Sequence, residues 1–343
     1  MRSLVAVALF FLIPVTAFAG PGKEFRDTGV YCTNGLTCDL TLTPRGSQRE
    51  IYSIVLSRRA GPDTPVLIKI RTNKPVKPGS DVVFLADGAE AARIAAADFD
   101  YNPDFYEYTA KDPGRGKALL SLLRDSSLLT IKAELEAAHS ADFSLSGVAA
   151  AMLYLDEVQG RIGTVDAVDK IGDKPGPPAM VRDITSVTDL PAAIRPEFES
   201  PDSTCGFMDM NRFRYGQGFA AMLSGDAELY ALPCAEGGAY NQPYVFYQKQ
   251  GDMITPLQLA IMTDDGPSTT PMAYNIDWDQ NTKTLTAFFK GRGIGDCGSL
   301  DKWVLRNIDG EVSFALKESR VKDDCDGIAE PGPDGWPLLW PKG

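Results

Sequence analysis

The sequence predicts a mostly β protein with a few helices, stapled by disulfides. The N-terminal domain is expected to be β-sandwich-like and the C-terminal domain an antiparallel β-meander. Three observations predict this. Apolar and polar residues alternate at period two in segments of the N-terminal half. Turn residues separate those segments. Six cysteines, an even number, sit in a chain that opens like an exported protein.

The opening residues read MRSLVAVALFFLIPVTAFAG. Arg2 supplies a positive n-region, Leu4 to Val15 an apolar h-region, and Ala17-Phe18-Ala19 a small-x-small cleavage site. Residues 1–19 are therefore expected to be a signal peptide cleaved after Ala19. The apolar run is shorter than a membrane span of about 20 residues, and no later segment approaches that length. The first cysteine is Cys32, so none follows the cleavage point for a lipid anchor. The expected location is the periplasm, or secretion.

Residues 20–165 read as a β-rich domain. In TPVLIKIRT, Val66, Ile68 and Ile70 face one way and Lys69 and Arg71 the other. LLTIKAELE alternates Leu129, Ile131, Ala133 and Leu135 with Thr130, Lys132, Glu134 and Glu136. IYSIVLS and DVVFLAD are further strands. Two helices interrupt them. GKALLSLLRD is short; GVAAAMLYLDEVQG places Val148, Met152 and Leu155 on one face and stops at Gly160. His139, the single histidine, falls in EAAHSADF, read as a strand-to-helix connection.

Residues 166–201 hold six prolines and no apolar period, and read as a partly extended linker. Residues 202–343 return to strands: PYVFYQ, AYNIDWD, TLTAFF after the turn QNTK, then KWVLRNI and VSFALKESRV across Asp309-Gly310. The closing DGWPLLWPKG is expected to dock Trp336 and Trp340 onto this sheet.

Six cysteines allow 15 pairings. Spacing favours neighbours: Cys32 with Cys38 around the turn Asn34-Gly35, Cys205 with Cys234, and Cys297 with Cys325. Loop closure would stabilise the fold by about 2.4 kcal/mol for the short loop and about 3.6 kcal/mol for each long one. Zinc would want closely spaced cysteine pairs or several histidines, so no metal is expected.

The charge is −12, or −13 once Arg2 leaves with the signal. That balance argues against nucleic acid, which needs clustered Lys and Arg. GRGIGDCGS, with four glycines between Gly291 and Gly298, could cradle a phosphate. A phosphate loop opens a helix, whereas LDKWVL beyond it reads as strand, and Cys297 sits inside the loop. A disulfide turn is the better reading, with Arg292 and Asp296 as the polar groups most able to meet a ligand. Ser299 and Lys302 form a Ser-x-x-Lys pair, but ahead of a strand rather than on a helix. Asp98, Asp100 and Asn102, and Asp277, Asp279 and Asn281, have calcium-like spacing without the glycine and glutamate of an EF-hand. No catalytic motif and no cofactor motif emerges.

FRDTGVYCTNGLTCDL and FSLSGVAAAM resemble the invasion-associated locus B family of exported bacterial proteins. Nearly the whole mature chain also resembles a bacterial family of unknown function and about this length. The six cysteines, GRGIGDCG, CDG and the closing WP carry that likeness. The resemblance implies export, β-structure and three disulfides, and no known catalytic residues.

These observations point to a non-enzymatic envelope protein that binds an envelope protein or glycan. Its surface would lie on the second domain, around Arg292, Asp296, Trp336 and Trp340. An inhibitor of a basic, envelope-attacking enzyme is one concrete version. A carboxylate-dependent glycan or peptidoglycan hydrolase is the rival, and would need a cleft holding an acid of raised pKa. A purely structural envelope component is the third reading. N-terminal sequencing of exported protein should begin at Gly20; a soluble product retaining residues 1–19 would refute the processing.

Overall fold

In the computed structural model, residues 20–46, 50–206, 213, 217–235, 237–263, 265–308 and 311–341 are described. The expected signal peptide lies outside the described residues. The chain is mostly antiparallel β, with α-helices Gly114–Arg124, Val148–Val158 and Pro196–Glu199. Among the described residues, no helix is long and apolar enough to cross a membrane.

The N-terminal half packs two sheets over one core. The larger runs Gly22–Phe25, Thr28–Cys32, Cys38–Leu42, Ile51–Arg58, Val66–Thr72, Glu107–Ala110, Phe99–Asn102 in spatial order. The smaller runs Ala138–Ser144, Leu128–Glu134, Asp81–Ala86, Ala89–Ala95. Period two accounts for the burial: Val66, Ile68 and Ile70 enter the core while Leu67, Lys69 and Arg71 stay half-exposed. Phe84, Ile131 and Phe143 of the small sheet meet Leu40, Ile54 and Ile68 of the large one. The helix Val148–Val158 buries Val148, Met152 and Leu155 as its spacing predicts, and Gly160 follows it at φ 68°. His139 is not in a connection. It lies on the strand Ala138–Ser144, opposite Ala133. Small side chains blur the alternation of this strand, so EAAHSADF reads as a connection in the sequence.

In the C-terminal half one sheet runs Val181–Ile184, Gly218–Ser224, Ala227–Pro233, Pro243–Gln250, Met253–Pro256. The second is the meander Ile276–Asp279, Thr284–Lys290, Gly298–Ile308, Glu311–Lys322, Leu338–Trp340. Ile308 pairs with Glu311, so the expected hairpin forms, although Asp309 and Gly310 themselves lie outside the described residues. Phe219, Leu229 and Phe246 of the first sheet pack against Trp278, Leu285, Trp303 and Phe314 of the second. Val187, Leu190, Ile194 and Phe198 cover the first sheet's other face, so Ala227–Pro233 is buried along its whole length. Within the proline-rich stretch 166–201, Val181–Ile184 is thus an edge strand of this sheet.

The halves meet at the first disulfide loop. Cys32 and Cys38 are bonded and face each other across two strands. The five residues between them enter the C-terminal half as a plug. Asn34 is 2% exposed. Its Nδ2 donates to Ile276 O at 3.1 Å and its Oδ1 accepts from Trp278 N at 3.0 Å. Leu36, in the left-handed region at φ 59°, packs against both cores. A Cβ on Gly35 would sit 2.3 Å from Asp183 N, so this glycine is required by close approach rather than by a turn.

A buried polar network braces the plug from behind. Gln159 Nε2 donates to Leu36 O at 2.8 Å and to Arg58 O at 3.0 Å. The fully buried Arg161 donates to Gln159 Oε1, Asp166, Gly61 O and Thr64 Oγ1. Asp156, also fully buried, accepts from the Val168 and Asp169 amides. Burial beside Arg161 pulls the Arg58 guanidinium down to about 10, even with Asp166 and Asp156 close by. Buried charges persist only when paired and hydrogen-bonded in this way.

Asn34→Ala removes both bonds and strands a buried carbonyl and a buried amide. The expected loss is about 2–4 kcal/mol of unfolding free energy in urea titration. A loss below about 1 kcal/mol would mean that Asn34 does not join the halves.

Candidate functional site

GRGIGDCGS connects two strands, Thr284–Lys290 and Gly298–Ile308, so no helix N-terminus stands behind it. It is a disulfide turn. Cys297 bonds Cys325, and Cys205 bonds Cys234, completing the pairing that spacing favours. Gly291 N donates to Cys297 O at 2.9 Å and Gly295 N to Arg292 O at 2.9 Å, closing the loop on itself. Gly298 has φ 136°, and a Cβ there would meet Phe289 O at 2.0 Å.

Arg292 and Asp296 come together on this loop, on each other. Arg292 Nε donates to Asp296 Oδ1 at 2.7 Å, and Nη2 donates to Oδ2 and to Cys325 O. Gly327 N also donates to Asp296 Oδ2, at 2.6 Å. The Asp296 side chain is fully buried. The Arg292 guanidinium and the Gly327 amide hold its carboxyl well below the usual range. The pair therefore fastens one disulfide turn to the other, and Asp296 presents no carboxylate to solvent.

The tryptophans divide. Trp278, Trp303 and Trp336 are buried; Trp340 is 37% exposed. Trp336 packs edge-to-face on Phe288 at 5.6 Å, and Trp303 Nε1 donates to Ala260 O at 2.6 Å. Trp336 is thus docked core, as its closing position in the chain predicts. Trp340 lies on a short edge strand paired with Ser319.

The sequence reading missed the apolar residues around this loop. Ile294 is 58% exposed and Ile328, on the facing turn, 60%. Phe289 (41% exposed) packs on Tyr274 at 5.2 Å, and Tyr240 (40%) lies against Gly293. The available signal was Ile294 itself, an apolar residue between two glycines, where a solvated turn would carry a polar one.

The other motifs resolve into structure. Ser299 and Lys302 lie on one strand, and Lys302 is paired with Asp334 and Glu318. Asp279 Oδ1 caps its own hairpin, accepting from Asn281 N at 2.8 Å and Thr282 N at 3.2 Å. Among the described residues, no three His, Cys, Asp or Glu side chains are grouped to hold a metal.

A second feature lies beside the plug. A cleft of about 330 Å³ is lined by Gly35, Thr37, Arg59, Arg182, Asp183 and Thr185, among others. Asp183 Oδ1 is buried there without a hydrogen-bond partner. Burial pushes its carboxyl up to about 6, against the opposing pull of the Thr37 and Thr33 hydroxyls, the Gly35 amide and Arg59. Arg182 is taken up by Glu228 and by Tyr230 Oη. Asp189 accepts from the Thr185 and Ser186 amides.

An acid whose folded pKa is raised from 3.8 to about 6 favours the fold most at low pH. Its penalty on folding grows from about pH 4 to about pH 6 and is constant above. Asp183→Asn should abolish that penalty. Relative to the wild type, the variant should gain about 3 kcal/mol in chemical denaturation between pH 4 and pH 7. Equal pH dependence in both proteins would place Asp183 in a solvated environment.

The model of the family described as a protein of unknown function, DUF1176, matches residues 22–342. The uncharacterized protein YpfG of Escherichia coli (strain K12) is 27% identical over 362 aligned positions, which cover 99% of each chain. The crystal structure of invasion-associated protein B from Bartonella henselae aligns with 41% of this chain and 99% of its own. Identity is 13% and the TM-score 0.31. With the family match running through both halves and the third-disulfide region, the chain belongs to the DUF1176 family.

Proposed function

We propose that this is an exported protein of the bacterial envelope, resident in the periplasm or secreted, that binds a partner protein through the surface around its third disulfide. One observation carries the reading. Ile294 stands exposed on a loop that a disulfide, a bidentate Arg–Asp pair and two backbone hydrogen bonds already hold in place. A loop held in this way loses little entropy on docking. Exposed Ile328, Phe289 and Tyr240 supply the apolar contact around it. Inhibition of an envelope-attacking enzyme is the concrete form, since a chain of charge −12 suits a basic target.

The mature chain, immobilised and exposed to envelope extract, should retain a discrete partner. Ile294→Asp should lower that retention at least tenfold while leaving the melting temperature unchanged, because the side chain contributes little to the core. Undiminished retention by the variant would remove the loop from the interface. The raised-pKa acid in the plug cleft favours a second reading, glycan or peptidoglycan hydrolysis with Asp183 as the acid. Turnover of peptidoglycan by the wild type, lost in Asp183→Asn and kept in Ile294→Asp, would establish that reading instead.

A further inference from the structure

A cleft of about 490 Å³ opens at one end of the larger N-terminal sheet. That size falls within the range of about 300–1,000 Å³ typical of ligand pockets. Its floor includes Gly29, Tyr31 and Thr41, which alternate with the buried Val30 and Leu40 and so turn away from the core. Two glycines make room for the ring. Gly22 is the cross-strand partner of Tyr31, and Gly29 lies two residues back on the same face. A Cβ on Gly22 would sit 2.6 Å from Tyr31 Cδ1, and a Cβ on Gly29 2.8 Å from Cε2. The ring therefore lies low over both glycines, with its other face toward the cleft. Tyr31 Oη donates to Glu24 Oε1 at 2.7 Å, which fixes the ring's far end.

Charged groups stand around this floor. Arg26 and Asp27 form the two-residue loop between the first two strands, and both line the cleft. Arg26 is exposed and sits at φ 55°, where two-residue hairpin loops favour Gly, Asn or Asp. Among the described residues, neither Arg26 nor Asp27 makes a side-chain hydrogen bond or ion pair. Thr43 and Arg45 form the opposite wall. Arg45 Nη2 donates to Ser144 Oγ at 3.0 Å, and no carboxylate among the described residues pairs with its guanidinium. The hydroxyls of Thr41 and Thr43 are also without a partner among the described residues. Glu24 keeps acceptor sites beyond the one that Tyr31 takes, since a carboxylate offers about four.

Two guanidiniums face two carboxylates here, so the cleft selects neither an anion nor a cation by charge. It offers unused donors and acceptors side by side, over an aromatic face. A hydroxyl donates and accepts at once, and vicinal hydroxyls suit the planar fork of a guanidinium or a carboxylate. The C–H face of a sugar ring complements the negative face of an aromatic one. We infer that this cleft binds a neutral sugar residue of a glycan. The inference rests neither on the third-disulfide surface nor on Asp183, both of which lie outside the cleft.

The probes are chitotetraose, cellotetraose and maltotetraose, each titrated to millimolar concentration into the isotope-labelled mature chain and followed by amide NMR shifts. At least one should shift the amides of Gly29, Thr41 and Thr43. Its affinity should change little between about 50 and about 500 mM salt, because the ligand carries no charge to screen. Arg26→Gly should weaken that sugar at least tenfold while keeping or raising the melting temperature, because glycine adopts φ 55° without strain. An arginine with only a structural role would not separate affinity from stability in this way. Tyr31→Leu keeps apolar bulk on the sheet but removes the ring, and should weaken the sugar by a similar factor. Absence of these shifts with all three sugars, or wild-type affinity in either variant, would overturn the site. Shifts produced instead by inorganic phosphate or by D-alanine, with no sugar bound, would overturn it in favour of an anion or a zwitterion site.

Discussion

The insertion of the Cys32–Cys38 loop into the C-terminal half is the contact on which the rest of the structure depends. A short disulfide loop on a hairpin would ordinarily project into water. Here Asn34 replaces two backbone partners at once, donating to Ile276 O and accepting from Trp278 N, the role that a neighbouring strand would otherwise fill. A buried side-chain amide is tolerated only when its donors and acceptors are met. The two hydrogen bonds therefore set the depth of the plug as well as its attachment. Leu36 then joins the two apolar cores, and Gly35 lets the loop backbone lie directly on Asp183.

The plug explains why so much charge is buried nearby. Gln159 grips its base, and Arg161, Arg58, Asp156 and Asp166 hold Gln159 and the chain around it. Removing one partner from such a network leaves an uncompensated buried ion, so the network resists piecemeal change. At the seam between the halves, Asp183 Oδ1 is buried without a hydrogen-bond partner, as is Arg58 Nη1 within the network itself. Burial raises the Asp183 carboxyl to about 6, which makes the junction sensitive to protonation.

The same logic separates fastening from recognition at the third disulfide. Arg292 and Asp296 stand out in the sequence because charged residues among glycines look available. In the fold each satisfies the other, and together they tie Cys325 and Gly327 to the loop. What remains facing solvent is Ile294 with Ile328, Phe289 and Tyr240. Residues that look bland in a sequence can form an interface because their neighbours have been made rigid.

Local properties of the chain were legible from the sequence alone. Period-two alternation marked Val66–Thr72 and Leu128–Glu134, because side chains alternate faces wherever a strand is half-buried. Cysteine spacing gave the three crosslinks, because short loops close most readily. Alternation gave no warning of Ala89–Ala95 or of the strand holding His139, where small side chains blur the pattern. The tertiary structure alone decided the meaning of Asn34, which bonds groups 242 and 244 residues away. It alone decided that Arg292 and Asp296 are closed on each other, that Asp183 Oδ1 is buried, and that the rings of Tyr52, Tyr101, Phe105 and Tyr106 stay outside the core. The physical reason is common to all four. Propensity and periodicity act over a few residues, whereas the partner of a polar group, or the cover over an apolar one, is supplied by whichever distant segment the topology brings beside it.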